Sequence, residues 1–239
     1  MNQILELLKN GVKLRVVRKL QSELTADAAA GPVDNPAARP VNNAAAGPVD
    51  NPAAGPANDT DSTEQDGLRN TTSNDVLMIS VDGNLEGCLK MAAGIKGPVI
   101  LEVCFHKVFC YGLAAFASDL QAAGLDAVRV PDLPYEERGQ LAVHLLDLEG
   151  PFLISEITPA SGDRIMAITQ YARGFVWCSG RGVPGKLREL PGDPLEFYLY
   201  AVDAACPVPY VLDFPGMTEN RLTTYAEAAE GAAGYLLSL

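Results

Sequence analysis

Residues 98–138, PVILEVCFHKVFCYGLAAFASDLQAAGLDAVRVPDLPYEER, read as a strand, a loop, a helix, a second strand and an acidic, proline-bearing loop that opens another helix. The runs 98–104 and 126–130 are short, apolar and rich in Val, Ile and Leu, whereas Leu113–Ala123 between them is helical in pattern. A strand that returns to a neighbouring strand through one helix implies a right-handed parallel crossover. This is the repeat unit of a (β/α) barrel.

The same alternation extends in both directions. Strand-like runs recur at 76–81, 152–156, 174–178, 208–213 and 233–237, with helical patterns at Leu85–Ile95, Glu136–Leu146 and Thr218–Ala229. The pattern predicts an α/β fold, an incomplete TIM-type (β/α) barrel over residues 75–239, with seven strands rather than eight. The helix that would follow the last strand is likewise expected to be missing after Leu239.

Two segments precede this barrel. Ile4, Leu8, Val12, Val16 and Leu20 are spaced four apart with Lys9, Lys13, Arg15, Arg18 and Lys19 between them, which predicts an amphipathic basic helix over 1–24. Its apolar stripe is expected to pack on the barrel in place of the missing helix; a membrane surface is the less favoured reading, since Glu6 and Glu23 dilute the charge. A third reading makes Lys13–Val17 a barrel strand. From residue 28 the composition changes: AAAGPVDNPAA at 28–38 returns at 44–54, a period of 16 residues. Such a stretch lacks the large apolar side chains that offset chain entropy, so 25–74 is expected to be a disordered linker.

Composition narrows the function. The 239 residues include 18 Lys and Arg against 30 Asp and Glu, a formal charge of −12, which disfavours a nucleic-acid partner. The five cysteines are odd in number and scattered, unlike a secreted disulfide framework, and point to a reducing cytoplasm. No apolar run is long enough to span a bilayer. Cys104, His106 and Cys110 do not have a zinc spacing, so no metal site is expected, and no dinucleotide or Walker fingerprint occurs.

The wording of several segments resembles the tryptophan synthase alpha chain family. Phe105–Gly112 is similar to its aromatic loop before a YG-started helix, and Pro131–Glu137 to its Asp-hydrophobic-Pro-x-Glu-Glu loop. Thr158–Ile168, Gly174–Gly185, Asp213–Gly216 and Gly231–Ser238 resemble, in order, the segments around its last strands. The resemblance implies a TIM barrel that cleaves indole-3-glycerol phosphate by a retro-aldol reaction to indole and glyceraldehyde 3-phosphate. It also implies a beta subunit as partner, with pyridoxal phosphate carried by that partner and no cofactor in this chain.

The reaction needs a proton donor to the indole carbon, a base for the glyceryl hydroxyl and an anion near the ring N–H. The family's loop that carries the catalytic Asp is reduced here to Val81-Asp82-Gly83, so Asp82 is the matching residue, and its Glu has no counterpart. Asp82-Gly83 is equally readable as a turn before the next helix. Glu102, Arg129 and Glu156 fall where the family has apolar pocket residues, so Glu102 and Glu156 are candidate replacement acids or bases, with Arg129 bridging to one of them. Cys104, Arg129, Asp132 and Trp177 are the expected pocket residues.

For the phosphate, the resemblance points to Gly182, Gly185, Phe214, Gly216 and Ser238. Pro184 and Pro215 remove backbone donors there, Leu237 replaces a glycine, and Asp213 introduces a negative charge. Unit like charges about 4 Å apart repel by about 4 kcal/mol at intermediate screening. Reduced or lost lyase activity is therefore expected, the alternatives being a non-catalytic partner of a beta subunit or a barrel with a changed small-molecule substrate.

Overall fold

Short strands, most of them buried on both faces, wrap one sheet around an apolar interior. The computed structural model describes residues 2–29, 75–146, 150–183, 191–214, 225 and 228–237. Among them lie β1 (Leu14–Leu20), β2 (Asp75–Ser80), β3 (Val99–Glu102), β4 (Ala127–Arg129), β5 (Phe152–Leu153), β6 (Ser155–Ile157), β7 (Val176–Ser179), β8 (Tyr210–Asp213) and β9 (Ala232–Leu237). All pair in parallel in the order β5-β4-β3-β2-β1-β9-β8-β7-β6. The two ends of that order, β5 and β6, are separated only by Ile154, whose N–H donates to the Val128 carbonyl at 2.9 Å. The sheet therefore curls until its edges meet at residues 152–157, giving the expected TIM-type barrel.

The strand missing from the sequence count is β1. A single helix over 1–24 is not what forms: α1 (Gln3–Lys9) ends at Gly11, φ 68°, and is followed by β1 and then α2 (Gln21–Ala29). Spacing by four is the reason for the difference. It is close to one helical turn, but it is also twice the strand repeat, so Val12, Val16 and Leu20 satisfy either periodicity. Leu14 and Val16 are fully buried, and Gly234 of β9 lies so close to the Leu14 carbonyl that a side-chain carbon there would collide with it.

Nor does α1 enter the outer helical layer. It closes the end of the barrel where the strands begin. The Asn2 amide donates to the carbonyls of Asp126 at 2.6 Å and Gly150 at 2.9 Å, just ahead of β4 and β5. The Asp126 carboxylate accepts from the first N–H groups of α1, at Gln3 and Ile4, and from Val99 at 3.0 Å. Ile4 is thereby fully buried among Met78, Ile100, Phe152, Phe175, Trp177 and Val211. Full burial of such a side chain contributes roughly 1.5–3 kcal/mol.

The helices on the outside bury two further apolar layers. α3 (Leu85–Ala92), α4 (Phe105–Tyr111), α5 (Leu113–Ala122) and α6 (Gly139–Leu146) cover β2–β5 through residues such as Leu89, Phe116, Leu120 and Leu141. α7 (Ile165–Thr169) and α8 (Pro194–Ala205) cover β6–β9 through Ile168, Leu199 and Val202. α4 replaces the loop expected over 105–112, and Gly112 at φ 96° separates it from α5. Glu136–Leu146 opens with a 3-10 turn, Tyr135–Glu137, before α6. Residues 30–74 and most of Thr218–Ala229 lie outside the described residues.

Candidate functional site

Strand alternation puts one set of side chains inside the barrel. Starting from the buried apolar Val16, Met78, Ile100, Ala127, Ile154 and Val211, the next inward position on each strand is Arg18, Ser80, Glu102, Arg129, Glu156 and Asp213. Ser80 and Glu102 are register neighbours, as are Glu102 and Arg129. This polar layer lies at the ends of the strands where barrels of this type carry their chemistry.

The layer is closed by hydrogen bonds. Glu102 accepts from Ser80 Oγ at 2.7 Å through Oε1, and from Arg18 at 2.8 Å and Arg129 through Oε2. Arg129 also donates from Nη2 to Glu156 Oε2 at 2.7 Å, so it bridges both candidate carboxylates rather than one. Its guanidinium lies 4.9 Å from the centre of the Trp177 ring, a cation–π contact. Trp177 is fully buried and donates its indole N–H to Asp213 Oδ2 at 3.0 Å. The Nε groups of Arg18 and Arg129 are buried without a hydrogen-bond partner among the described residues.

The two glutamates titrate differently. Burial pushes the Glu102 carboxyl up, but Arg129, Ser80 and Arg18 together outweigh it and hold it below the ordinary carboxylate value. For Glu156 burial dominates: the attraction of Arg129 only partly offsets it, and Asp213 and Glu102 add repulsion, so its carboxyl is raised. Glu156 also lines a cavity of about 300 Å³ between the loops that follow β4 and β6. Its Oε1 accepts no hydrogen bond among the described residues.

Other expected residues lie elsewhere. Asp82 is exposed and accepts from Ser22 N–H at 3.2 Å and from the Ser22 hydroxyl, capping the start of α2; the Ser22 hydroxyl bond lowers its pKa. Asn84 starts α3, accepting from Glu86 at 2.8 Å. Cys104 does not share the inward layer with Glu102. The strand ends before it, and it sits exposed ahead of α4. Asp132 turns outward to accept the Phe105 N–H at 2.8 Å. Gly182 is exposed at φ 71°, whereas Phe214 is buried against Gly180, Tyr198 and Tyr225 and presents no ring to a ligand at the rim. Asp213, 4% exposed, points inside rather than at the rim. Gly185, Gly216 and Ser238 lie outside the described residues.

Two contributors escaped the sequence reading. Arg18, expected on the basic face of a helix, is an inward residue of β1, and Ser80 is an inward residue at the end of β2; both donate to Glu102. The alternation Leu14, Val16, Arg18 was the available signal, once the segment is read at a period of two.

Comparison with known proteins places this geometry in a family. The family model described as Tryptophan synthase alpha chain matches residues 73–235. A tryptophan synthase alpha chain from Alkaliphilus metalliredigens is 34% identical over 144 residues, covering 60% of this chain and 53% of the relative. One from Lachnospira eligens is 32% identical over 156 residues, covering 62% and 59%. The chain thus spans about half the length of the curated relatives it matches. Among solved structures, the alpha chain from Legionella pneumophila superposes with a TM-score of 0.63 at 18% identity, covering 99% of this chain and 85% of that one. A chain of the tryptophan synthase α2β2 complex from Pyrococcus furiosus gives 0.58 at 15% identity, covering 68% and 75%.

Proposed function

The chain belongs to the tryptophan synthase alpha chain family, and from that premise we propose that it serves tryptophan biosynthesis as an alpha-type barrel whose own cleavage of indole-3-glycerol phosphate is reduced or lost. One observation carries this reading: Arg129 spans Glu102 and Glu156 across the barrel mouth and lies on Trp177. An uncharged indole ring placed there would have to displace ionised, mutually paired groups, and removing one partner of a buried pair leaves the other uncompensated.

The remaining parts agree. Asp82 is engaged by Ser22 and has no free oxygen directed at a ring N–H. Glu102 has both oxygens occupied. Pro184 and Pro215 stand where the resemblance places phosphate-binding backbone donors. The partner in this reading is a beta subunit that carries pyridoxal phosphate, since a structural neighbour is an α2β2 complex. The unbridged cysteines suit a reducing cytoplasm, and among the described residues no helix is long and apolar enough to cross a membrane.

A second reading rests on Glu156. It is a raised carboxyl with one free oxygen on a cavity, which is the profile of an acid or base for a different small substrate. Titrating the full chain into a tryptophan synthase beta subunit separates the readings. The partner reading expects a stable complex and altered beta-subunit turnover of indole, unchanged in Glu156→Gln. A chain that neither binds nor alters the beta subunit contradicts it.

A further inference from the structure

Past the Ile154 N–H bond to the Val128 carbonyl, β4 has no further register partner on this strand, and Ser155, Glu156 and Ile157 pair with β7 on their other edge. The seam so opened holds the cavity of about 300 Å³, at the small end of ligand sites. Arg129 and Glu156 close it on the barrel side, while exposed Glu136 and Arg164 mark its rim.

The charges of the lining do not balance. Arg129 is shared between Glu102 and Glu156, and Arg164 pairs with Glu136. Arg138 is left over. Its guanidinium donates to the Ser155 hydroxyl and to the Leu153 carbonyl at 3.1 Å, both neutral, and stands 5.7 Å from the Tyr135 ring centre. Among the described residues no carboxylate pairs with it. Burial lowers its pKa, yet a guanidinium stays protonated, so among the described residues the cavity contains a half-buried cation without a counterion. A charge removed from water is costly unless paired, and the planar fork of arginine matches a carboxylate.

We propose that this seam is a binding site for a small monocarboxylate with an apolar body, its carboxylate held by Arg138 and its body against Val130, Leu153 and Ile168. One uncompensated positive charge selects a monoanion. A second negative charge would meet Glu156, which lines the same cavity, so a phosphate dianion is disfavoured. The site shares its cavity with Glu156, and its test reads the binding of a carboxylate rather than lyase turnover.

Calorimetric titration of the full chain with benzoate tests this, with benzyl alcohol as the neutral analogue and inorganic phosphate as the competing anion. One saturable benzoate site is expected, with no saturable binding of benzyl alcohol and at least about tenfold weaker binding of phosphate. Arg138→Gln is expected to weaken benzoate at least about tenfold; Arg138→Lys, which keeps the charge and the fold but not the fork, a few-fold. Benzoate is also expected to shift the amide resonances of Arg138, Ser155 and Glu156. No saturable benzoate binding, equal binding of benzyl alcohol or phosphate, shifts confined to other residues, or unchanged affinity in Arg138→Lys would each overturn the proposal.

Discussion

Arg129 Nη2 reaches Glu156 Oε2 at 2.7 Å and so ties β4 to β6, two strands with no backbone register between them. The side chains do at this level what hydrogen-bonded backbone does below it. Arg129→Met should therefore destabilise the fold by about 3–5 kcal/mol, because Glu102 and Glu156 are left as buried like charges. Denaturant unfolding at neutral pH measures it, and the loss should shrink when Glu156→Gln is added. A single variant as stable as the parent contradicts the bridge.

The opposite shifts of the two glutamates give a pH signature. Side-chain carboxyl NMR should find Glu156 titrating above, and Glu102 below, the ordinary value of about 4.3. Glu156 costs stability while ionised, a cost relieved as pH falls through its raised pKa. The contribution of Glu102 is complete above the ordinary value and is lost as pH falls through its lowered pKa. Glu102 protonating before Glu156 on acidification would refute this order.

At the other end of the barrel, Asp126→Ala removes the acceptor of the Gln3, Ile4 and Val99 N–H groups. A loss of about 1–3 kcal/mol is expected for buried donors left unsatisfied. Hydrogen exchange should show α1 amides opening first. Equal protection of α1 in the variant would mean that the plug is held by apolar packing alone.

The thiols divide by burial. Cys88 and Cys178 are buried, with pKa values pushed up to about 11 and about 12, whereas Cys104 and Cys110 are exposed. A thiolate-specific reagent at neutral pH should modify Cys104 and Cys110 in the native chain and reach Cys88 and Cys178 only on unfolding. Native-state modification of Cys178 would place it outside the β7 core.

Most of the barrel was legible because its strands are short apolar runs separated by helical patterns, and seven of those runs became strands. β1 was legible only as the least favoured reading, Lys13–Val17 as a strand, since apolar residues four apart fit a helix and a strand equally and its pairing with β2 and β9 decides between them. The Arg129 bridge followed from inward alternation plus the cost of unpaired charge. Asp82 and Asp132 did not follow, because both cap helix starts, at Ser22 and Phe105, that depend on tertiary position rather than on local spacing. Arg138 was hidden for the same reason: its partners, Ser155 and Leu153, lie on another strand segment.

Indole release from indole-3-glycerol phosphate, followed with and without a beta subunit, bears most directly on the central claim. The paired layer of Arg18, Glu102, Arg129 and Glu156 predicts turnover at or near background in both conditions. Rapid indole release that disappears in Asp82→Asn or Glu102→Gln would contradict it.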